Sequence, residues 1–133
     1  MKETEVLVVK EFKFDAAHYL PNYKGACSNL HGHTFYLQIG IKGEIDLTTG
    51  MVVDFNALKK SVEAAVISKL DHTLINKVAE ELELPTAENL VCWIRERLRY
   101  GIVPVDRSKE NAPHLAFIRL YETPSSYVEW HEE

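Results

Sequence analysis

The stretch Cys27-Ser28-Asn29-Leu30-His31-Gly32-His33 sets two imidazoles two residues apart, with a thiol four residues before the first. On a β-strand, side-chain direction repeats every second residue, so His31 and His33 would project from one face. Two same-face imidazoles are half of a metal site. A third stands upstream in Phe14-Asp15-Ala16-Ala17-His18. Three neutral imidazoles without a fourth protein ligand match a catalytic zinc centre, which keeps one coordination position open for water or substrate. Cys27 is then a reactive group beside a dication, which favours its thiolate. A second arrangement stays open from the residues alone, with Cys27 as a fourth ligand closing a structural site.

Such a site needs strands to carry it. From Val6 to His18 the chain begins apolar and then alternates, with Phe12, Phe14, Ala16 and His18 on one parity. From His31 to Ile41 it alternates again, with His31, His33, Phe35, Leu37, Ile39 and Ile41 together. Paired antiparallel, the two strands bring their histidines to adjoining ends of one apolar face. Pro21, Asn22, Gly25, Ser28 and Asn29 are turn residues, which puts Cys27 on a loop. Residues 43–50 read as a loop or a short hairpin extension.

Asp54 can cap a helix whose Phe55, Leu58, Val62, Ala65, Val66 and Leu70 follow the helical period. The pair Asp71-His72 comes directly after it, among apolar neighbours. Residues 77–84 have room for a helical turn. Thr86 caps a second helix, buried along Leu90, Val91, Ile94 and Leu98 and closed by Tyr100-Gly101, with a polar loop over 102–113. Ala116, Ile118, Leu120 and Glu122 share one face of a further strand, 123–126 is a turn, and 127–131 is a last short strand. An inward carboxylate such as Glu122 is costly unless paired. The order predicts an α+β fold: one domain over 1–133, a four-stranded antiparallel sheet, and both helices on one face.

At 133 residues, 46% apolar and 26% charged, the chain has the makings of a folded core. Its net charge of -5 disfavours a nucleic-acid partner. No apolar run reaches membrane-spanning length, and the first residues do not read as a signal peptide. Two cysteines are no disulfide framework, so a reducing, cytoplasmic setting is expected. Cys92, amid the second helix's stripe, reads as a buried, inert thiol, and His114 and His131 read as surface residues without a role.

Taken together, Phe-x-Ala-Ala-His ending at His18, Cys-x-x-x-His-Gly-His, Leu-Asp-His at 70–72, Pro-Thr-Ala-Glu-Asn at 85–89 and Tyr-Glu-Thr at 121–123 resemble the 6-pyruvoyl-tetrahydropterin synthase family. The spacing of three residues between Cys27 and His31 resembles its 6-carboxy-5,6,7,8-tetrahydropterin synthase branch, found in queuosine biosynthesis. The resemblance implies the tunnelling fold, in which subunits join their sheets into a barrel, as a trimer or dimer of trimers with sites between subunits. It implies His18, His31 and His33 as zinc ligands and Cys27 as the general base, with Asp71 orienting His72 as a proton shuttle. It implies Glu122 as the anchor of the pterin 2-amino and N3–H groups, and Thr86 and Glu88 as pocket lining. Ala87 stands where some relatives have a second threonine.

The activity implied is zinc-dependent conversion of 7,8-dihydroneopterin triphosphate to 6-carboxy-5,6,7,8-tetrahydropterin, acetaldehyde and triphosphate. Lys24 is the one cation the loop offers toward the triphosphate. Three alternatives stand beside it: the 6-pyruvoyl product from the same substrate, a non-catalytic zinc- and pterin-binding module, and a zinc hydrolase that uses bound water. Thr86 and Glu88 also have an ordinary reading as a helix cap and a first-turn acid.

Overall fold

The computed structural model describes residues 4–99, 101–102 and 112–133. Two long strands form its spine. β1 (Glu5–His18) and β2 (His31–Glu44) pair antiparallel without a break, from Glu5 opposite Glu44 to His18 opposite His31. β4 (His114–Thr123) adds to β2, and β5 (Ser126–His131) returns along β4 through a tight hairpin. The expected sheet had four antiparallel strands. The observed one has five, in the order β3-β1-β2-β4-β5, because β3 (Thr73–Leu74) joins the far edge of β1 in parallel. Two residues with one hydrophobic flank have no alternation to read, so this strand was invisible to a periodicity argument.

Alternation on the spine sorts the two faces. Phe14, Phe35, Leu37, Ile39, Ile41, Ile118 and Leu120 are buried on one face and form a single core with the helices. The other face carries the polar parity, including Lys13, Thr34, Tyr36 and Arg119. Gly40 sits where the pairing of β2 with β4 shifts register, and a Cβ there would come within 2.3 Å of the Phe117 ring. A larger residue would push that ring off the sheet.

The first helix starts at Asp54, whose side chain accepts from Asn56 and Ala57 N–H. It runs through α1 (Phe55–Val62), a π-helical stretch Glu63–Ile67 and a last turn α2 (Ser68–Leu70). Leu58, Val62, Val66 and Leu70 recur every fourth residue and are all fully buried. An α-helix has about 3.6 residues per turn, so a strict spacing of four drifts round its axis. The widened π turn takes up that drift and keeps all four side chains on the core. Phe55, expected in the stripe, lies instead at the exposed start.

A short helix α3 (Ile75–Val78) follows β3, starting earlier than the turn expected over 77–84. α4 (Ala87–Leu98) is capped by Thr86, whose hydroxyl accepts from Asn89 N–H. Its buried side is Leu90, Val91, Ile94 and Leu98, as the spacing predicts. Cys92 is exposed, not buried. One turn away on either side, Glu88, Asn89 and Glu96 are exposed too, so Cys92 belongs to the solvent side. The expected stop at Tyr100 and most of the expected loop, 103–111, lie outside the described residues.

Beyond β5, Glu132 ties the chain end to the sheet. Its carboxylate meets Lys42 Nζ at 2.7 Å and His114 Nε2 at 2.9 Å, and its N–H donates to Ala116 O. His114 is thus half-buried and paired, not a free surface residue. Burial alone would raise the Glu132 carboxyl, but the Lys42 and His114 hydrogen bonds outweigh it and hold it below its ordinary 4.5. A depressed carboxyl stabilises the fold fully above its unfolded value, and that contribution disappears as pH falls through the folded value. Protection of the amides at 131 and 132, corrected for intrinsic exchange, is therefore expected to fall as pH drops below 4.5. Glu132→Gln should exchange fast already at neutral pH, and equal protection in the two proteins would show that the pairing does not hold the end.

Candidate metal centre and adjoining acid–base pair

The continuous β1–β2 register decides where the histidines meet. His18 lies opposite His31, and His33 lies opposite Ala16, a residue small enough to leave room for rings on both sides. The three ring centroids stand 4.6, 5.2 and 4.9 Å apart, at interplanar angles of 59°, 80° and 86°. His18 is only 3% exposed.

Two of the rings are held from behind. His18 Nδ1 lies 2.8 Å from Pro85 O, and His31 Nδ1 lies 2.7 Å from Asn29 O. A carbonyl can only accept, so each Nδ1 carries the hydrogen and each Nε2 keeps its lone pair. That is how metal-binding imidazoles are usually oriented. His18 Nε2 and His33 Nε2 are buried with no hydrogen-bond partner. An unpaired buried acceptor costs about 1–3 kcal/mol. With the Nε2 atoms of His18 and His33 both unbonded beside the His31 ring, the three imidazoles could hold a cation, and the donor set suits one that accepts nitrogen ligands.

Glu122 joins this cluster. It sits where the β4–β5 register shifts, between Tyr121 and Thr123, and its Oε1 comes 3.2 Å from His33 Nε2 without hydrogen-bond alignment. Ligand atoms of His18, His31, His33 and Glu122 all lie within 4.8 Å of one another, so these residues could hold a metal ion. Burial lowers the His33 imidazole below its ordinary value. Glu122 pulls it upward, while His18 and His31 add to the lowering. Neutral His33 is the form that can ligate.

Cys27 lies outside that group. It occupies a 3₁₀ turn (Ala26–Ser28), is half-buried, and its carbonyl accepts from Leu20 N–H at 2.8 Å, which closes the loop between β1 and β2. Thr86 is half-buried as the helix cap, and Glu88 is exposed in the first turn. Lys24 is exposed on the loop.

Asp71 and His72 form a pair of their own, with His72 Nδ1 3.0 Å from Asp71 Oδ1. His72 has φ 60°, a left-handed conformation uncommon outside glycine. The Asp15 N–H bond and then the His72 contact hold the Asp71 carboxyl below its usual range. Among the described residues, neither bonds to Cys27. His72 opens instead on a groove of about 590 Å³ at the sheet edge, which Asp15 and His33 also line.

Several positioning groups carried no sequence signal. Pro85 acts through its carbonyl, which no side-chain pattern reveals. Asn76 makes a two-point bond to the Tyr19 backbone, N–H to Oδ1 and Nδ2 to O, both 3.0 Å, which fastens the residue after His18.

Comparison with known proteins agrees with this geometry. The chain is 39% identical over 102 residues to the 6-carboxy-5,6,7,8-tetrahydropterin synthase of Synechocystis, covering 74% of this chain and 78% of that one. It is 41% identical over 95 residues to the dihydroneopterin monophosphate aldolase of Pyrococcus furiosus, covering 71% and 76%. The 6-pyruvoyl tetrahydropterin synthase of Caenorhabditis elegans superposes with a TM-score of 0.81 at 26% identity, over 97% of this chain and 96% of that one. The 6-pyruvoyl tetrahydropterin synthase family matches residues 7–133, which take in every side chain of the cluster and the pair, and the chain belongs to that family of enzymes.

Proposed function

We propose that the protein is a zinc-dependent lyase that converts 7,8-dihydroneopterin triphosphate to 6-carboxy-5,6,7,8-tetrahydropterin, acetaldehyde and triphosphate, in the queuosine pathway. The observation that carries this reading is the cluster of His18, His31, His33 and Glu122, ligand atoms within 4.8 Å of one another, in which the buried Nε2 atoms of His18 and His33 make no hydrogen bond. Zinc bound there would supply Lewis acidity, lowering the pKa of a substrate hydroxyl beside it. Glu122 then holds the pterin, its two oxygens accepting the planar 2-amino and N3–H donors as a carboxylate accepts an arginine. Cys27, as thiolate, takes a proton from the substrate side chain, and His72, oriented by Asp71, moves protons on the groove side. Thr86 and Glu88, at the head of α4, line the pterin pocket.

In one chain Cys27 and His72 are not bonded, and a barrel of several chains is the arrangement that would bring such groups together from neighbours. Two free sheet edges favour it. Among the described residues β1 pairs on its outer side with β3 at Ala16 and Ala17, and Val6, Leu7 and Val9 along it are 37–40% exposed. Open apolar edges of this kind are otherwise an aggregation hazard. We read the chain as a homo-oligomer, a trimer or dimer of trimers, acting in the cytoplasm.

A second reading has an observation of its own. The groove lined by Asp15, His33 and His72 has no lysine or arginine among its described lining residues. That suits a side chain with fewer phosphates, as in the aldolase relative. Product identification by mass spectrometry on the triphosphate and the monophosphate decides between them, and the 6-pyruvoyl product would appear in the same assay.

For the main reading, one zinc per chain is expected, and chelation should lower the thermal midpoint until zinc is restored. Cys27→Ala should keep the metal and lose about 10²–10⁴-fold in kcat. Full activity in Cys27→Ala would favour a bound-water hydrolase, and loss of zinc would make the thiol a ligand. Glu122→Gln should keep zinc and raise KM about tenfold or more, from a lost charged hydrogen-bond pair. Lost zinc with unchanged KM would instead make Glu122 a ligand.

A further inference from the structure

Asp15 stands between Phe14 and Ala16 on β1, but on the opposite parity, so it faces away from the core and the histidine cluster. Four interactions converge on it. Its N–H donates to Asp71 Oδ1 at 2.9 Å, and its carbonyl accepts from His72 N–H at 2.6 Å. These bonds carry the parallel β1–β3 pairing, which begins at Ala16 and Thr73, one step further into the turn. Thr34, its cross-strand neighbour, donates its hydroxyl to Asp15 Oδ1 at 2.5 Å. Finally, ligand atoms of Asp15, Asp71 and His72 lie within 4.8 Å of one another. The His72 imidazole therefore has two carboxylates near it, one paired with its Nδ1 and one, anchored on the sheet, within 4.8 Å.

We propose that Asp15, fixed by Thr34, is a positioning residue for His72: its backbone holds the left-handed turn that presents the ring, and its carboxylate stabilises the imidazolium formed when the ring takes up a proton. The proposal rests on the reading of Asp71 and His72 as the proton-moving pair. Asp71 alone fixes one ring nitrogen, but His72 is 78% exposed in the side chain and sits on a backbone that favours other conformations. A second charge at the groove wall removes the freedom that exposure leaves. Thr34 matters because it occupies Oδ1 and fixes which way the Asp15 carboxylate points.

A merely structural role is the competing account, since cross-strand hydrogen bonds of this type stabilise sheets by themselves. Asp15→Asn separates the two. It keeps an oxygen for Thr34 and both backbone bonds, and removes only the charge. In the zinc-loaded enzyme, Asp15→Asn should lower kcat about tenfold with KM and thermal midpoint nearly unchanged, the size expected for one charge at this range in a wet groove. Asp15→Glu should recover part of the loss. In a His72→Gln background, Asp15→Asn should cost nothing more. Wild-type turnover in Asp15→Asn, or an equal loss with His72 already replaced, overturns the proposal.

Nitrogen NMR of the His72 ring gives a readout independent of turnover. At equal pH, Asp15→Asn should show a smaller imidazolium share at His72 than the wild type. An unchanged share overturns the proposal. If His72→Gln is as active as wild type, the proton-moving reading of the pair fails instead, and the NMR result still decides what Asp15 does.

Discussion

Everything at this site follows from one register. β1 and β2 pair from Glu5 opposite Glu44 to His18 opposite His31 without a slip, and a displacement by one residue would turn every imidazole to the wrong face. The core guards against that slip, because Phe14, Phe35, Leu37, Ile39 and Ile41 would all have to leave it together. The metal centre therefore borrows its accuracy from hydrophobic burial along the whole spine. Pro85 and Asn29 finish the work by taking the Nδ1 hydrogens of His18 and His31, which turns each lone pair inward. What is left, the buried Nε2 atoms of His18 and His33 without a hydrogen bond, is unfavourable for the folded chain by itself. Stability has been given up where function needs a ligand.

How much of this was legible in the sequence depends on whether the device had a period. His18, His31 and His33 were readable because strand alternation is strong beside Phe14 and Phe35. Both helices were readable from their caps at Asp54 and Thr86. β3 was not, since two residues hold no pattern and its pairing is fixed by the backbone of Asp15. The π turn at Glu63–Ile67 was not drawn out either, though the fourfold spacing of Leu58, Val62, Val66 and Leu70 contained it. Cys92 was misread for a simpler reason: it follows Val91 in sequence, but its neighbours on the helix surface are polar. Glu122 was placed on the correct face, but its approach to His33 depends on the register shift beside it, which alternation cannot show.

The end of β1 takes part in two clusters because a strand has two faces. His18 belongs to the covered face and to the candidate metal group; Asp15, three residues earlier, belongs to the open face and to the cluster with Asp71 and His72. The odd spacing puts them on opposite sides of the sheet while keeping them within a few residues of one backbone. Any shift of β1 that disturbed the imidazoles would also move the bonds from Asp15 to Asp71 and His72. Coupling of this kind needs no pathway of side chains, only a strand too well paired to bend.

The groove at the sheet edge is where the two faces come within reach of one small molecule, since both His33 and His72 line it. A ligand lying across that edge can touch His33 of the candidate metal group with one part and His72 with another. Among the described residues β3 covers this edge at Ala16 and Ala17, so a second chain pairing further along β1 would close the groove and exclude water from it. Closure would matter chemically. His72 is mostly exposed in the single chain, and an exposed ion pair is worth little. Removal of solvent strengthens each of its contacts with Asp71 and Asp15. Assembly along this edge, as proposed above, would lower the dielectric around groups that one chain already holds in place.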